Sequence, residues 1–131
     1  MRHQFIILLV LVIALSGSAA WGEERDEDDC LRLRPGIASS VEMATCTSDL
    51  SGSQQALADA LANLRAHIPR ERRNQLDKAQ RAWLAYRDEH CLWEAGGNPG
   101  STGYSAAVIA CAADMNRERT KYLRDDLRDR W

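Results

Sequence analysis

The side chains able to do chemistry concentrate in the run Ala79-Gln80-Arg81-Ala82-Trp83-Leu84-Ala85-Tyr86-Arg87-Asp88-Glu89-His90-Cys91. His90 beside Cys91 suggests a thiol–imidazole pair, but a thiol consumed by a disulfide leaves no nucleophile to activate. His90 and Glu94, four residues apart on a helix, can share a metal ion, yet two ligands are too few to make a site. Asp88 and Glu89 are adjacent, so their carboxylates point in different directions and form no acid–base dyad. His67 has no nucleophile partner in view. These residues argue against an enzyme, and no catalytic residue, metal ligand or cofactor is expected. What remains is binding or architecture. A guanidinium against a core needs a partner to offset its desolvation, so Arg87 is either paired to a carboxylate elsewhere or presented to a ligand.

The element that positions these groups is a helix. Gln80, Trp83, Arg87, Cys91 and Glu94 recur at helical spacing near one face, with Leu76, Ala79, Tyr86 and His90 beside it. Pro69 suits its first turn, where a missing N–H costs nothing, and Gly96-Gly97-Asn98-Pro99-Gly100 stops it after about Glu94. Ser101 or Thr102 can cap a following helix in which Tyr104, Val108, Cys111, Met115, Arg119, Tyr122 and Leu123 line one side, with a charged, fraying end from Lys121 to Trp131. Upstream, Ser39-Ser40-Val41-Glu42 has capping-box spacing. Val41, Leu50, Leu57, Leu61, Leu64 and Ile68 then suggest a helix to about Ala66. Gly52 and the polar cluster from Thr45 to Ser53 weaken its middle, so a break near Ser48 with a fresh start is an alternative. No strand-like alternation is present. The expected fold class is all-α: a small antiparallel three-helix bundle, a helical hairpin plus a third helix, stapled by two disulfides.

The start of the chain carries a different signal. Met1-Arg2-His3, the apolar run from Phe5 to Leu15 and Ser16-Gly17-Ser18-Ala19-Ala20 have the layout of a secretory signal peptide over residues 1–20. The run is too short to span a membrane. Cleavage before Trp21 leaves 111 of the 131 residues, one small domain. No cysteine stands at the cut, which argues against a lipid anchor. The expected location is periplasmic or secreted, with no stable membrane insertion once the leader is removed. All four cysteines, Cys30, Cys46, Cys91 and Cys111, lie in the mature part. An even set in an exported chain implies two disulfides, and neither a C-x-x-C nor a paired-histidine spacing favours metal.

Antiparallel packing gathers the four cysteines at one end but leaves three pairings open. Neighbour pairing would close loops of about 16 and 20 residues, contributing roughly 3 kcal/mol each in the chain-entropy treatment. Between Glu23 and Asp29, six acids surround one arginine. This run suggests a solvated, mostly irregular arm over residues 21–38, its Cys30-to-Gly36 lead-in closed by a Pro-Gly turn, ahead of a helical domain over residues 39–131. Functionally, such an arm can lure a cationic partner, speeding encounter more than deepening affinity. Charge and export both speak against nucleic acid as a partner.

Ala79-Gln80-x-x-Trp83-x-x-Tyr86-Arg87-Asp88-x-x-Cys91, the Gly-rich loop, and Cys111-x-x-x-Met115-x-x-x-Arg119-x-x-x-Leu123 resemble the LprI-like family of exported lysozyme inhibitors. The resemblance spans about residues 39–123. Val41-Glu42-Met43-x-x-Cys46 fits the family's early cysteine segment. Where the family pattern has Asp-x-x-Leu-Asn followed by Tyr, this chain has Gln54-x-x-Leu57-Ala58 and Leu61. The resemblance implies a small helical, disulfide-containing domain exported from a bacterium, with lysozyme inhibition as its activity. Cys91 and Cys111 match as a pair, which favours the neighbour connectivity. Gln80, Trp83, Tyr86, Arg87, Asp88 and Arg119 match the signature, and a signature face turned inward implies architecture rather than contact. A lysozyme is typically cationic and carries an acid pair in a long cleft. An inhibitor can be steered by acids and must then fill that cleft with a rigid element. The loop from Gly96 to Tyr104, with Asn98, Ser101 and Tyr104, is the candidate contact, and Trp93 and Trp131 are either rim anchors or packing residues. The expected function is non-catalytic binding and inhibition of lysozyme or a related cell-wall hydrolase. The alternative is an envelope scaffolding module of the same fold that binds another exported protein.

Overall fold

A computed structural model describes residues 24–131 of the chain. The expected signal peptide and the cut before Trp21 lie outside the described residues. Those residues form five helices and no strand: α1 (Glu27–Leu33), α2 (Ser40–Thr47), α3 (Leu50–His67), α4 (Arg70–Ala95) and α5 (Thr102–Arg130).

Part of the stretch expected to be mostly irregular is therefore helical. Asp26 accepts the Asp29 N–H at 2.7 Å as N-cap, and Glu27, Asp28 and Asp29 sit in the first turn, where the helix dipole favours negative charge. The segment is held to α2. Cys30 is bonded to Cys46, the Arg25 N–H donates to the Thr47 carbonyl at 2.8 Å, and the Arg25 guanidinium reaches Asp49 at 2.9 Å.

The capping box at α2 forms. Ser39 Oγ accepts from the Glu42 N–H at 3.2 Å, while Glu42 accepts from the Ala38 N–H and the Ser39 hydroxyl, both at 3.1 Å. These bonds, the Ala38 N–H first, hold the Glu42 carboxyl below the usual glutamate range. The single helix expected to run on to Ala66 breaks at Ser48, the alternative given by its weak middle. Asp49 adopts the left-handed conformation (φ 47°, ψ 51°) and α3 starts afresh at Leu50. Gly52 has a specific task there: a Cβ at this position would lie 2.1 Å from an Asp49 carboxylate oxygen.

Pro69 stands one residue before α4, in extended conformation, as its N-cap. Gly96 (φ 56°) and Gly97 (φ 69°) end α4 in backbone conformations that side chains disfavour. The charged end of α5, expected to fray, is helical to Arg130. Lys121–Asp125, Arg128–Asp125 and Arg130–Asp126 pairs run along it, while Leu123 and Leu127 turn to the core.

Helix α5 is the spine, packing against α2, α3 and α4. Ser53 meets Asn116 while Leu64 and Ile68 share a core with Leu123, so α3 runs parallel to α5. Cys91 is bonded to Cys111 and Gln80 meets Arg119, so α4 runs antiparallel to it. The expected hairpin of the first two long helices is loose, since α3 and α4 lean on α5 far more than on each other. Between them lies a groove of about 340 Å³ lined by Leu57, Ala58, Leu61, Gln80, Leu84 and Arg87, among others. Three of its liners, Gln54, Ala58 and Leu61, are the residues at which the chain departs from the family pattern. Because three helices cover α5, its buried stripe is Ala113, Asn116, Thr120 and Leu123, shifted from the expected line through Val108, Cys111 and Met115.

Candidate functional site

The two disulfides pair as neighbours, Cys30–Cys46 and Cys91–Cys111. The second ties the last turns of α4 to the first turns of α5, and the loop between them is fastened by its own side chains. Asn98 Oδ1 accepts from the Gly100 N–H at 3.1 Å, and the Asn98 carbonyl accepts from the Ser101 hydroxyl at 3.0 Å. Ser101 Oγ accepts from the Tyr104 N–H as N-cap of α5, and the Tyr104 hydroxyl donates to the Leu92 carbonyl at 3.2 Å. Asn98, Ser101 and Tyr104 are thus brought together, each engaged in closing this end of the molecule.

The signature residues divide by direction. Gln80 is buried and accepts from Arg119 Nε at 3.2 Å. The Arg119 guanidinium lies 5.6 Å from the Trp83 ring centroid and 5.0 Å from that of Tyr122, a stack of cation between aromatic faces. Burial pulls its pKa below the ordinary arginine value, with Tyr122 and Asp126 opposing. Arg87, expected to pair with a carboxylate elsewhere, instead pairs with its own neighbour Asp88 and donates from Nη1 to Asn116 Oδ1 at 2.9 Å. Asn116, fully buried, donates to Ser53 Oγ at 3.2 Å, and the Ser53 hydroxyl passes the chain on to the Leu50 carbonyl at 2.8 Å. Gln80, Trp83, Arg87 and Arg119 therefore clamp α4 onto α5, and the Asn116–Ser53 bond fastens α3 to the same helix. Sequence reasoning missed Asn116 and Ser53. Their signal was a polar residue at helical spacing from Ala113, Thr120 and Leu123, legible only once that line is known to be buried.

Tyr86 and Asp88 point the other way. Tyr86 is 58 % exposed and Trp93, 77 % exposed, is the most exposed large apolar side chain of the described residues. Between them His90 stacks on Tyr86 at 5.4 Å and tilts toward Trp93 at 6.1 Å. Trp131, by contrast, lines a shallow recess with Leu64, Ile68, Leu76 and Tyr122 at the other end. Charge follows the same division. Between Asp88 and Asn116 there are four acids, Asp88, Glu89, Glu94 and Asp114, and no lysine or arginine, whereas the first half of α4 carries Arg70, Arg72, Arg73, Lys78 and Arg81. No group of three or more potential metal ligands occurs among the described residues, and no described helix is long and apolar enough to cross a membrane. The arrangement offers a rigid, acidic, aromatic surface.

The family model described as lysozyme inhibitor LprI matches residues 30–123, a range that begins at Cys30 and contains both disulfides. No curated protein and no solved structure matches the chain.

Proposed function

The chain belongs to the LprI lysozyme inhibitor family, and from that premise we propose that it is an exported bacterial protein that binds and inhibits lysozyme or a related cell-wall hydrolase without catalysing a reaction itself. The observation that carries this reading is that the family match takes in the entire disulfide-bonded core rather than a fragment of it. Two disulfides fit an oxidising compartment, periplasm or exterior, where such a partner is met. An inhibitor gains affinity when its contact surface is ordered before binding, and the end closed by Cys91–Cys111, Ser101 and Tyr104 is ordered in that way. The loop from Gly96 to Tyr104, with Asn98, Ser101 and Tyr104, is the proposed element that meets the hydrolase.

The test is lysis of cell walls by several lysozyme classes, titrated with disulfide-intact mature protein. Saturable inhibition near a stoichiometric ratio is the expected result. Raised salt should slow association, because an acidic surface steers a cationic enzyme only over about a Debye length, ~10 Å at 0.1 M. Absence of inhibition of every class at large excess would turn the reading to an envelope scaffolding module of the same fold.

A further inference from the structure

The exposed aromatic face of α4 lies outside the loop just proposed as the contact. Tyr86, His90 and Trp93 fall at i, i+4 and i+7, one helical face, and Glu89 and Glu94 fall on either side of that line. The rings form a continuous ladder through His90. Glu89 and Glu94 are exposed and make no ion pair among the described residues, whereas Asp88 and Asp114 are engaged by Arg87 and Arg117. The face is also held rigid from behind: Cys91 is disulfide-bonded to α5, and the Leu92 carbonyl accepts the Tyr104 hydroxyl. Burial of large aromatic side chains in an interface contributes strongly to affinity, and their exposure in a free protein marks a docking surface.

We infer that this face is the anchor of the inhibitory contact, taking a cationic protein surface whose arginine or lysine side chains lie over the Trp93 and Tyr86 rings with Glu89 and Glu94 beside them. Charge complementarity selects the occupant. A guanidinium over an indole is favourable in itself and gains further when carboxylates flank it. The chain uses the same chemistry internally, where Arg119 sits between Trp83 and Tyr122. An anionic partner would meet Glu89 and Glu94, which flank the rings and form no ion pair among the described residues. The inference rests on the inhibitor reading for the identity of the partner, a cationic lysozyme.

The experiment measures binding and inhibition separately. Wild type, Trp93→Ala, Tyr86→Ala, the double variant Glu89→Lys/Glu94→Lys, and Glu71→Lys at the far end of α4 are titrated calorimetrically against cationic lysozymes of several classes, and the same mixtures are assayed for lysis. Trp93 is so exposed that its removal should leave the thermal midpoint unchanged, which excludes misfolding as a cause. The expected result is a loss of affinity of at least about tenfold for Trp93→Ala and for the double glutamate variant, with Glu71→Lys like wild type. Inhibition by wild type with undiminished affinity in Trp93→Ala and the glutamate variant overturns the anchor and leaves the inhibitor reading standing. Binding that Trp93→Ala abolishes, without any inhibition by wild type, upholds the anchor and overturns the inhibitor reading. Absence of binding to every lysozyme, or self-association of wild type that Trp93→Ala dissolves, overturns the anchor.

Discussion

Three residues show how local chemistry is turned by its surroundings. Gly52 lies inside a helix, where alanine is ordinarily better by about 1 kcal/mol. Here a Cβ would collide with the Asp49 carboxylate and dislodge it from Arg25. Gly52→Ala is therefore expected to destabilise by about 1 kcal/mol, because a partly exposed pair and an off-rotamer side chain outweigh the propensity gain. In an Asp49→Gly background, which empties the space and suits the left-handed backbone, the same substitution should stabilise. The reversal of sign, read from urea midpoints, is the check. Asn116→Ala would strand Arg87 Nη1 and take from the Ser53 oxygen the donor it accepts at a buried junction, with an expected loss of about 3 kcal/mol in the same measurement. Glu42 carries a pH dependence. Its pKa is lowered on folding, so its contribution is present above the ordinary glutamate value and lost as pH falls through the lowered one. The thermal midpoint of wild type should exceed that of Glu42→Gln near neutrality, and the gap should close below about pH 4.

Among the elements, α1 and α5 stand at opposite extremes. Helix α1 has seven residues, too few to be stable alone, and is held by one disulfide and a few contacts with α2. Replacing Cys30 and Cys46 by serine should release residues 24–34 to rapid hydrogen exchange while α3, α4 and α5 keep their protection, because their core does not include α1. Replacing Cys91 and Cys111 acts on the spine itself. Opening that 20-residue loop is expected to cost about 3 kcal/mol. It should also weaken any partner binding at this end, by restoring disorder to the last turns of α4.

At the scale of the whole molecule, charge and rigidity are distributed unevenly. A formal net charge of only −2 conceals an acidic, aromatic end and a basic first half of α4. Such polarity orients an approaching cationic partner and makes association more salt-sensitive than the net charge suggests. The same polarity offers an acidic end and a basic end to a second copy of the chain. This is why dissolution of a self-associated state by Trp93→Ala belongs among the outcomes that decide the anchor.

Helix existence, the caps at Ser39 and Ser101, the glycine stop at Gly96 and the neighbour pairing favoured by the family resemblance were legible because each depends on residues close in the chain or on a motif shared with relatives. The amphipathic pattern likewise announced which helices carry apolar faces. It did not say that α5 would be covered on three sides, and this shifted the buried stripe to Ala113, Asn116, Thr120 and Leu123. Nor could spacing reveal that Arg87 finds an amide 29 positions away, that Asp26 turns an acidic run into a helix docked on α2, or that Tyr86 faces outward while Trp83 beside it faces in. By itself the sequence determined the two long C-terminal helices and the signals that start and stop them, and the family resemblance favoured the crosslinks. Only the tertiary structure decided which polar groups were buried together and which aromatic rings were left in water, since desolvation and exposure belong to the packed assembly and not to any segment of it.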